Sequence, residues 1–136
     1  MNSLFSFAQG PQPSKLFLPD NKVFDFGTVL EKKGKVSHTF LIRNVGLKPI
    51  VINNVSAWCG CTEIDYTKRP ILPRQSGKVT VVYNPYSRPG FFSKEIVVLT
   101  EGGNNYTRLW IKGKVVPYLH PVKENYPYTY GSGLYM

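Results

Sequence analysis

Apolar and polar residues alternate along this chain in short stretches, each closed by turn-forming residues. Val36, His38, Phe40 and Ile42 recur at every second position, so they share one face of an extended strand. Val79, Val81 and Tyr83 form a second such face, and Phe92, Ile96 and Val98, with the stem of Lys94 among them, a third. Leu109, Ile111 and Val115 line a fourth. Shorter apolar stretches at Val23 to Phe26, Ile50 to Ile52 and Thr62 to Tyr66 read as further strands. Asn44-Val45-Gly46, Arg74-Gln75-Ser76-Gly77, Pro89-Gly90 and Gly102-Gly103-Asn104-Asn105 punctuate them as turns. No stretch of about ten residues repeats with a helical period between caps. The pattern predicts an all-β fold, a sandwich of about seven antiparallel strands in two packed sheets, which is an immunoglobulin-like number.

Composition adjusts this picture slightly. The chain has 136 residues, of which 42% are hydrophobic, enough for one domain with its own core. Eleven prolines and twelve glycines suit turns. No window approaches the roughly 18 apolar residues of a membrane helix. After Val116 the composition changes: residues 117–136 hold five tyrosines and three prolines. Three parts are therefore expected: a leader and linker over 1–21, the sandwich over 22–116, and a Tyr/Pro/Gly-rich extended tail over 117–136. An aromatic tail of this kind fits strand addition to a sheet edge, in this molecule or another, with Tyr126, Tyr128 and Tyr130 as contacts, and a disordered terminus is the plainer alternative. Leu4-Phe5-Ser6-Phe7-Ala8-Gln9 is like the end of a signal peptide, with Ser6 and Ala8 as small residues before a cut, and points to an exported protein.

The net charge is +9. Such a balance favours anionic partners. The cations are spread from Lys15 to Lys123 without a block longer than Lys32-Lys33, so a nucleic-acid arm, which clusters its charge, is disfavoured. On the last strand, alternation sets Tyr106, Arg108, Trp110, Lys112 and Lys114 opposite the Leu109–Ile111 face. Tyr, Trp and Arg are enriched in binding hot spots, so this stripe is the candidate contact surface for an acidic protein or a glycan. An ordinary solvated strand face is the plainer alternative.

The chemistry-bearing motif is Trp58-Cys59-Gly60-Cys61-Thr62, which holds both cysteines of the chain. Four readings stand side by side. A local disulfide has to span two residues, whose Cα atoms lie about 6.5–7 Å apart in a strand, unless Gly60 relaxes the backbone. Two free thiols packed beside Trp58 act as small hydrophobes. A soft ion such as Cu(I) suits two thiolates, whereas structural zinc requires four ligands and only His38 and His120 remain to help. His38 lies on an apolar strand face and is expected to be a hydrogen-bonded core residue. Redox exchange requires a depressed thiol pKa, but the acidic neighbours Glu63 and Asp65 oppose it. No phosphate-binding glycine loop, Gly-x-Ser-x-Gly elbow or meaningfully spaced carboxylate pair occurs, and no metal or cofactor is called for.

Several motifs in order carry a resemblance. They are Phe24-Asp25-Phe26-Gly27-Thr28-Val29, Phe40-Leu41-Ile42-Arg43-Asn44-Val45-Gly46, Cys59-Gly60-Cys61-Thr62 and Ser76-Gly77-Lys78-Val79-Thr80-Val81-Val82-Tyr83. Gly90 to Val98 and Leu109 to Val115 complete the set. The pattern resembles a bacterial domain family of unknown function, abundant in Bacteroidetes and marked by Cys-Gly-Cys-Thr. That family is similar to the immunoglobulin-like domains of the abnormal-spindle, major-sperm-protein and hydin group. The resemblance covers about residues 22–116. It implies a β-sandwich exported to the cell envelope or periplasm, and no established activity. Arg74 departs from the Pro-Gly that many relatives carry before the corresponding turn, and makes that loop more basic. The combined expectation is a non-enzymatic protein-binding or scaffolding module of the envelope, within a larger assembly. Its rivals are an envelope thiol protein, redox or Cu(I)-handling, using Cys59 and Cys61, and a basic-surface binder of nucleic acid or glycan.

Overall fold

A computed structural model describes residues 10–118. The chain order is β1 (Gln12–Pro13), β2 (Phe17–Pro19), β3 (Val23–Leu30), β4 (Val36–Asn44), β5 (Ile52–Ala57), β6 (Thr62–Tyr66), β7 (Ser76–Tyr83), β8 (Gly90–Thr100) and β9 (Asn105–Val116). Two single 3-10 turns, Glu31–Lys33 and Glu101–Gly103, interrupt them, and no α-helix occurs among the described residues. From β1 to β6 successive strands switch sheets, whereas β6–β7 and β8–β9 each pair within one sheet. Sheet A runs β1-β9-β8-β5, with β3 also paired to β9. Sheet B runs β2-β4-β7-β6. The expected all-β sandwich is therefore present.

Strict alternation builds its interior. Phe40 and Ile42 of β4 and Val79, Val81 and Tyr83 of β7 face Ile96 and Val98 of β8 and Leu109, Ile111 and Val115 of β9 in one buried cluster. Where the alternation is out of step, a bulge repairs it. Ile52 and Val55 are three residues apart, yet both are buried, because the register against β8 shifts between Ile52 and Asn54. In β3 the register against β9 shifts between Asp25 and Thr28. Gly27 takes φ +69 there, and its N–H donates to Asp25 Oδ1 at 2.7 Å.

Several boundaries differ from expectation. β3 extends to Leu30 rather than ending at Phe26. Ile50 forms an isolated bridge with Ile71, and the strand proper continues to Ala57, past the two asparagines that hide its alternation. Nine strands replace about seven, because β1 and β2 are built from the expected leader. Phe17 of β2 is fully buried and pairs with Asn44, so the fold starts before residue 22. β1 and β3 run parallel to β9, whereas the other pairings are antiparallel.

The sandwich has two dissimilar ends. One carries the Cys59–Thr62 turn beside the loop after β7, where the Asn84 N–H donates to the Cys61 carbonyl at 2.9 Å. The other is organised by Asn44, which is completely buried.

Candidate functional site

β9 positions the candidate contact surface. Its inward residues Thr107, Leu109, Ile111, Gly113 and Val115 are buried, which fixes Tyr106, Arg108, Trp110, Lys112 and Lys114 on the outer face of sheet A. All five predicted residues of the stripe are thus brought together. Pairing with β8 sets Glu95 beside Trp110, Ser93 beside Lys112 and Phe91 beside Lys114. Arg108 bonds Glu95 at 3.1 Å and lies 5.3 Å from the Tyr106 ring centre. Lys114 stands 5.2 Å over the Phe91 ring, which is 84% exposed. A cation over an aromatic face is attracted by its quadrupole, which favours these positions of Arg108 and Lys114. The exposed Arg108–Glu95 pair adds little to stability and leaves the guanidinium available at the surface.

Two shallow concavities flank the strand. One, of about 290 Å³, is lined by Pro13, Leu18, Pro19, Tyr106, Arg108 and Trp110 among others. Its floor is held by the Trp110 N–H donating to the Lys22 carbonyl at 2.7 Å. The second, of about 380 Å³, lies among Asp25, Thr28, Phe91, Lys112 and Lys114. Phe91 was not among the predicted contacts. The signal was present, since an inward Phe92 forces Phe91 outward. Tyr126, Tyr128 and Tyr130 lie outside the described residues, as does His120.

At the other candidate site, Cys59 and Cys61 are joined as a disulfide. Their Cα atoms are 5.1 Å apart, closer than in a strand, because the segment is a turn. The Thr62 N–H and Oγ1 both donate to the Cys59 carbonyl, at 3.3 and 2.9 Å. Thr62 therefore closes the turn that lets the sulfurs meet. The turn forms without a left-handed φ at Gly60, so the freedom that could have relaxed the backbone there is not used. The pairing also corrects the reading of two free thiols packed against Trp58, whose side chain is 93% exposed. Cys61 is buried in the core, whereas Cys59 is half-buried and borders a hollow of about 440 Å³ with Trp58, Ser93, Lys94 and Glu95. Lys94 and Glu95 line the same hollow as Cys59, a cation and an anion that sequence neighbours alone do not reveal.

His38 is half-buried, stacked on Phe24 at 3.7 Å between centroids and edge-on to Phe40 at 4.7 Å. It is held by rings rather than as the hydrogen-bonded core histidine expected from sequence. Burial lowers its pKa. Among the described residues, no three His, Cys, Asp or Glu side chains gather as metal ligands, and no helix is long and apolar enough to cross a membrane.

Comparison with known proteins places this geometry. Residues 17–115 match the model of a family described as a protein of unknown function, DUF1573. The chain belongs to that family. No curated protein matches it. Among solved structures, the DUF1573 domain is similar to a protein of unknown function from Porphyromonas gingivalis W83, with a TM-score of 0.61 and 16% identity. That match covers 81% of this chain and 50% of the other. The VesB protease of Vibrio cholerae aligns with a TM-score of 0.62 at 16% identity, over 74% of this chain and 32% of its own. The secreted serine protease VesC of Vibrio cholerae gives 0.53 at 14% identity, over 67% and 21%. The DUF1573 domain thus spans half or less of each of these chains. At these identities the likeness is one of fold.

Proposed function

We propose that this DUF1573 domain is a non-enzymatic protein-binding module of the bacterial cell envelope, using the outer face of sheet A. The observation that carries this reading is the stripe on β9. Two aromatics and three cations share one strand face, with Phe91 in register beside them and a concavity on either side. Half-buried Tyr106 and Trp110 with exposed Phe91, rimmed by cations, have the composition of an interaction patch rather than of an idle strand face. The envelope location rests on the motif resemblance and the signal-like Leu4–Gln9. The test is affinity capture from an envelope fraction with the full chain and with Arg108→Glu/Trp110→Ala. A partner recovered by the parent and lost by the variant supports the reading. Equal recovery sinks the stripe as a contact surface.

A second reading has its own observation. Half-buried Cys59 borders a hollow lined by Lys94 and by Glu95, the latter bonded to Arg108, and a nearby cation favours a thiolate. On this reading the pair exchanges with the thiols of an envelope partner or, when reduced, takes Cu(I). Thiol titration with and without reductant, followed by Cu(I) competition, separates the two. Cysteines that stay paired under mild reductant and take up no copper remove it.

A further inference from the structure

The end of the sandwich organised by Asn44 joins exposed apolar side chains to an excess of positive charge. Three segments meet there. The Val45 N–H donates to the Leu16 carbonyl at 2.8 Å, the Arg74 N–H to the Asn44 carbonyl at 2.8 Å, and Asn44 Nδ2 to the carbonyls of Lys48 and Ile71, both at 2.8 Å. Residues 14–19, 43–51 and 67–78 contain seven of the chain's 17 Lys and Arg residues and none of its 8 Asp and Glu residues. Lys68 is paired with Asp65. Lys15, Arg43, Lys48, Arg69 and Arg74 are exposed and make no ion pair among the described residues. Between them project Leu16, Val45, Leu72 and Leu47, the last 95% exposed. Glu101 lies on the sheet A side of the same end, bonded by Thr100 Oγ1 at 3.5 Å.

We propose that this end docks on an anionic lipid surface, with Leu47 inserted at the headgroup boundary and the cations against the phosphates. The chemistry favours lipid over protein. Leucine is under-represented in protein hot spots, whereas apolar side chains among Lys and Arg mark interfacial membrane binding. The apolar side chains stand on separate loops, so they suit a deformable medium better than a shaped pocket. A group of four to eight cations is the size that anionic headgroups hold. This inference is independent of the stripe on sheet A.

The test is co-sedimentation of the full chain with vesicles of mixed phosphatidylglycerol and phosphatidylcholine, against pure phosphatidylcholine. Binding is expected to the anionic vesicles and to weaken with added salt. Leu47→Ser, at a fully exposed site that leaves folding intact, lowers the affinity by about tenfold. Arg43→Glu/Lys48→Glu lowers it more than Lys112→Glu/Lys114→Glu, which changes the net charge equally on the sheet A face. Failure to bind anionic vesicles overturns the proposal. So does binding indifferent to Leu47→Ser, or equal loss from the two charge-reversal pairs. Binding to polyglutamate but not to vesicles, sensitive to Arg43→Glu, would mark the end as an acidic-protein site instead.

Discussion

Asn44 shows how much one polar side chain organises. Its Nδ2 donates to the carbonyls of Lys48 and Ile71, and its Oδ1 accepts from the Gly46 N–H at 2.8 Å. The bond to Ile71 is buried and the other two are part-buried, so their loss leaves polar groups of the interior without partners. Asn44→Ala is therefore expected to destabilise the domain by about 2–4 kcal/mol, read from urea unfolding. Asn44→Asp keeps the acceptor but turns an oxygen toward two carbonyls, and should not rescue the loss. Sequence reading placed Asn44 in a closing turn, which is right, but gave no sign that distant Ile71 completes its bonding. His38 makes a second residue-scale prediction. Its folded pKa lies below the ordinary value of about 6.5, because burial among Phe24 and Phe40 disfavours the charged ring. The unfolded chain then binds the proton first. Stability contributed by His38 is complete above about pH 6.5 and is lost as pH falls through that value. Melting temperatures at about pH 7.5 and 5.5 should fall less in His38→Phe, which keeps the ring contacts and cannot titrate. An equal fall in both proteins would clear His38 of the effect.

Strands are legible in the sequence where their pattern is simple. In β4, β7, β8 and β9 the alternation of large apolar residues fixes both the strand and its buried face, so the Trp110 stripe follows from the residues alone. β3 and β5 are only partly legible, because the bulges after Asp25 and Ile52 put consecutive inward residues out of step. Pairing partners are not legible at all. Nothing local in Val23–Leu30 signals that it lies parallel to β9 rather than against its sequence neighbour β4. Glycines separate in the same way. An added Cβ at Gly113 would stand 3.0 Å from both the Gly27 carbonyl and the Phe92 ring, and backbone cannot yield. Gly113→Val should therefore cost about 1–3 kcal/mol or more through overpacking, against no more than about 0.5 for Gly60→Ala. At Gly60 nothing lies within 4 Å of the added Cβ. Thermal unfolding of the two variants checks the contrast, and a Gly113→Val protein as stable as the parent would refute the close packing of β9 on β3.

Across the whole molecule the two ends differ in chemistry. The Asn44 end gathers cations and bare leucines. The opposite end holds the disulfide and the departing chain, where Glu31 Oε1 accepts from the Tyr118 N–H at 2.8 Å and Oε2 from the Ser87 N–H at 2.9 Å. The sheet A face runs between them, so a domain seated on its Asn44 end keeps that face open to a partner. The disulfide is the feature whose weight such a layout most easily exaggerates. Joining residues two apart closes a loop of only three residues, and loop-closure entropy grows with loop length. On the chain-entropy account its contribution is no more than about 2 kcal/mol. The two-sheet core, with Phe17, Phe40, Tyr83, Leu109 and Ile111 fully or almost fully buried, holds the fold without it. Reduction should therefore lower the melting temperature by less than about 8 °C and leave a single cooperative transition. Calorimetry with and without reductant, with free thiols counted in the same samples, makes the comparison. Collapse of the transition on reduction would show the pair to be a staple of the fold. A small shift with both thiols released would leave Cys59 and Cys61 free to serve exchange chemistry at little cost to the domain that carries them.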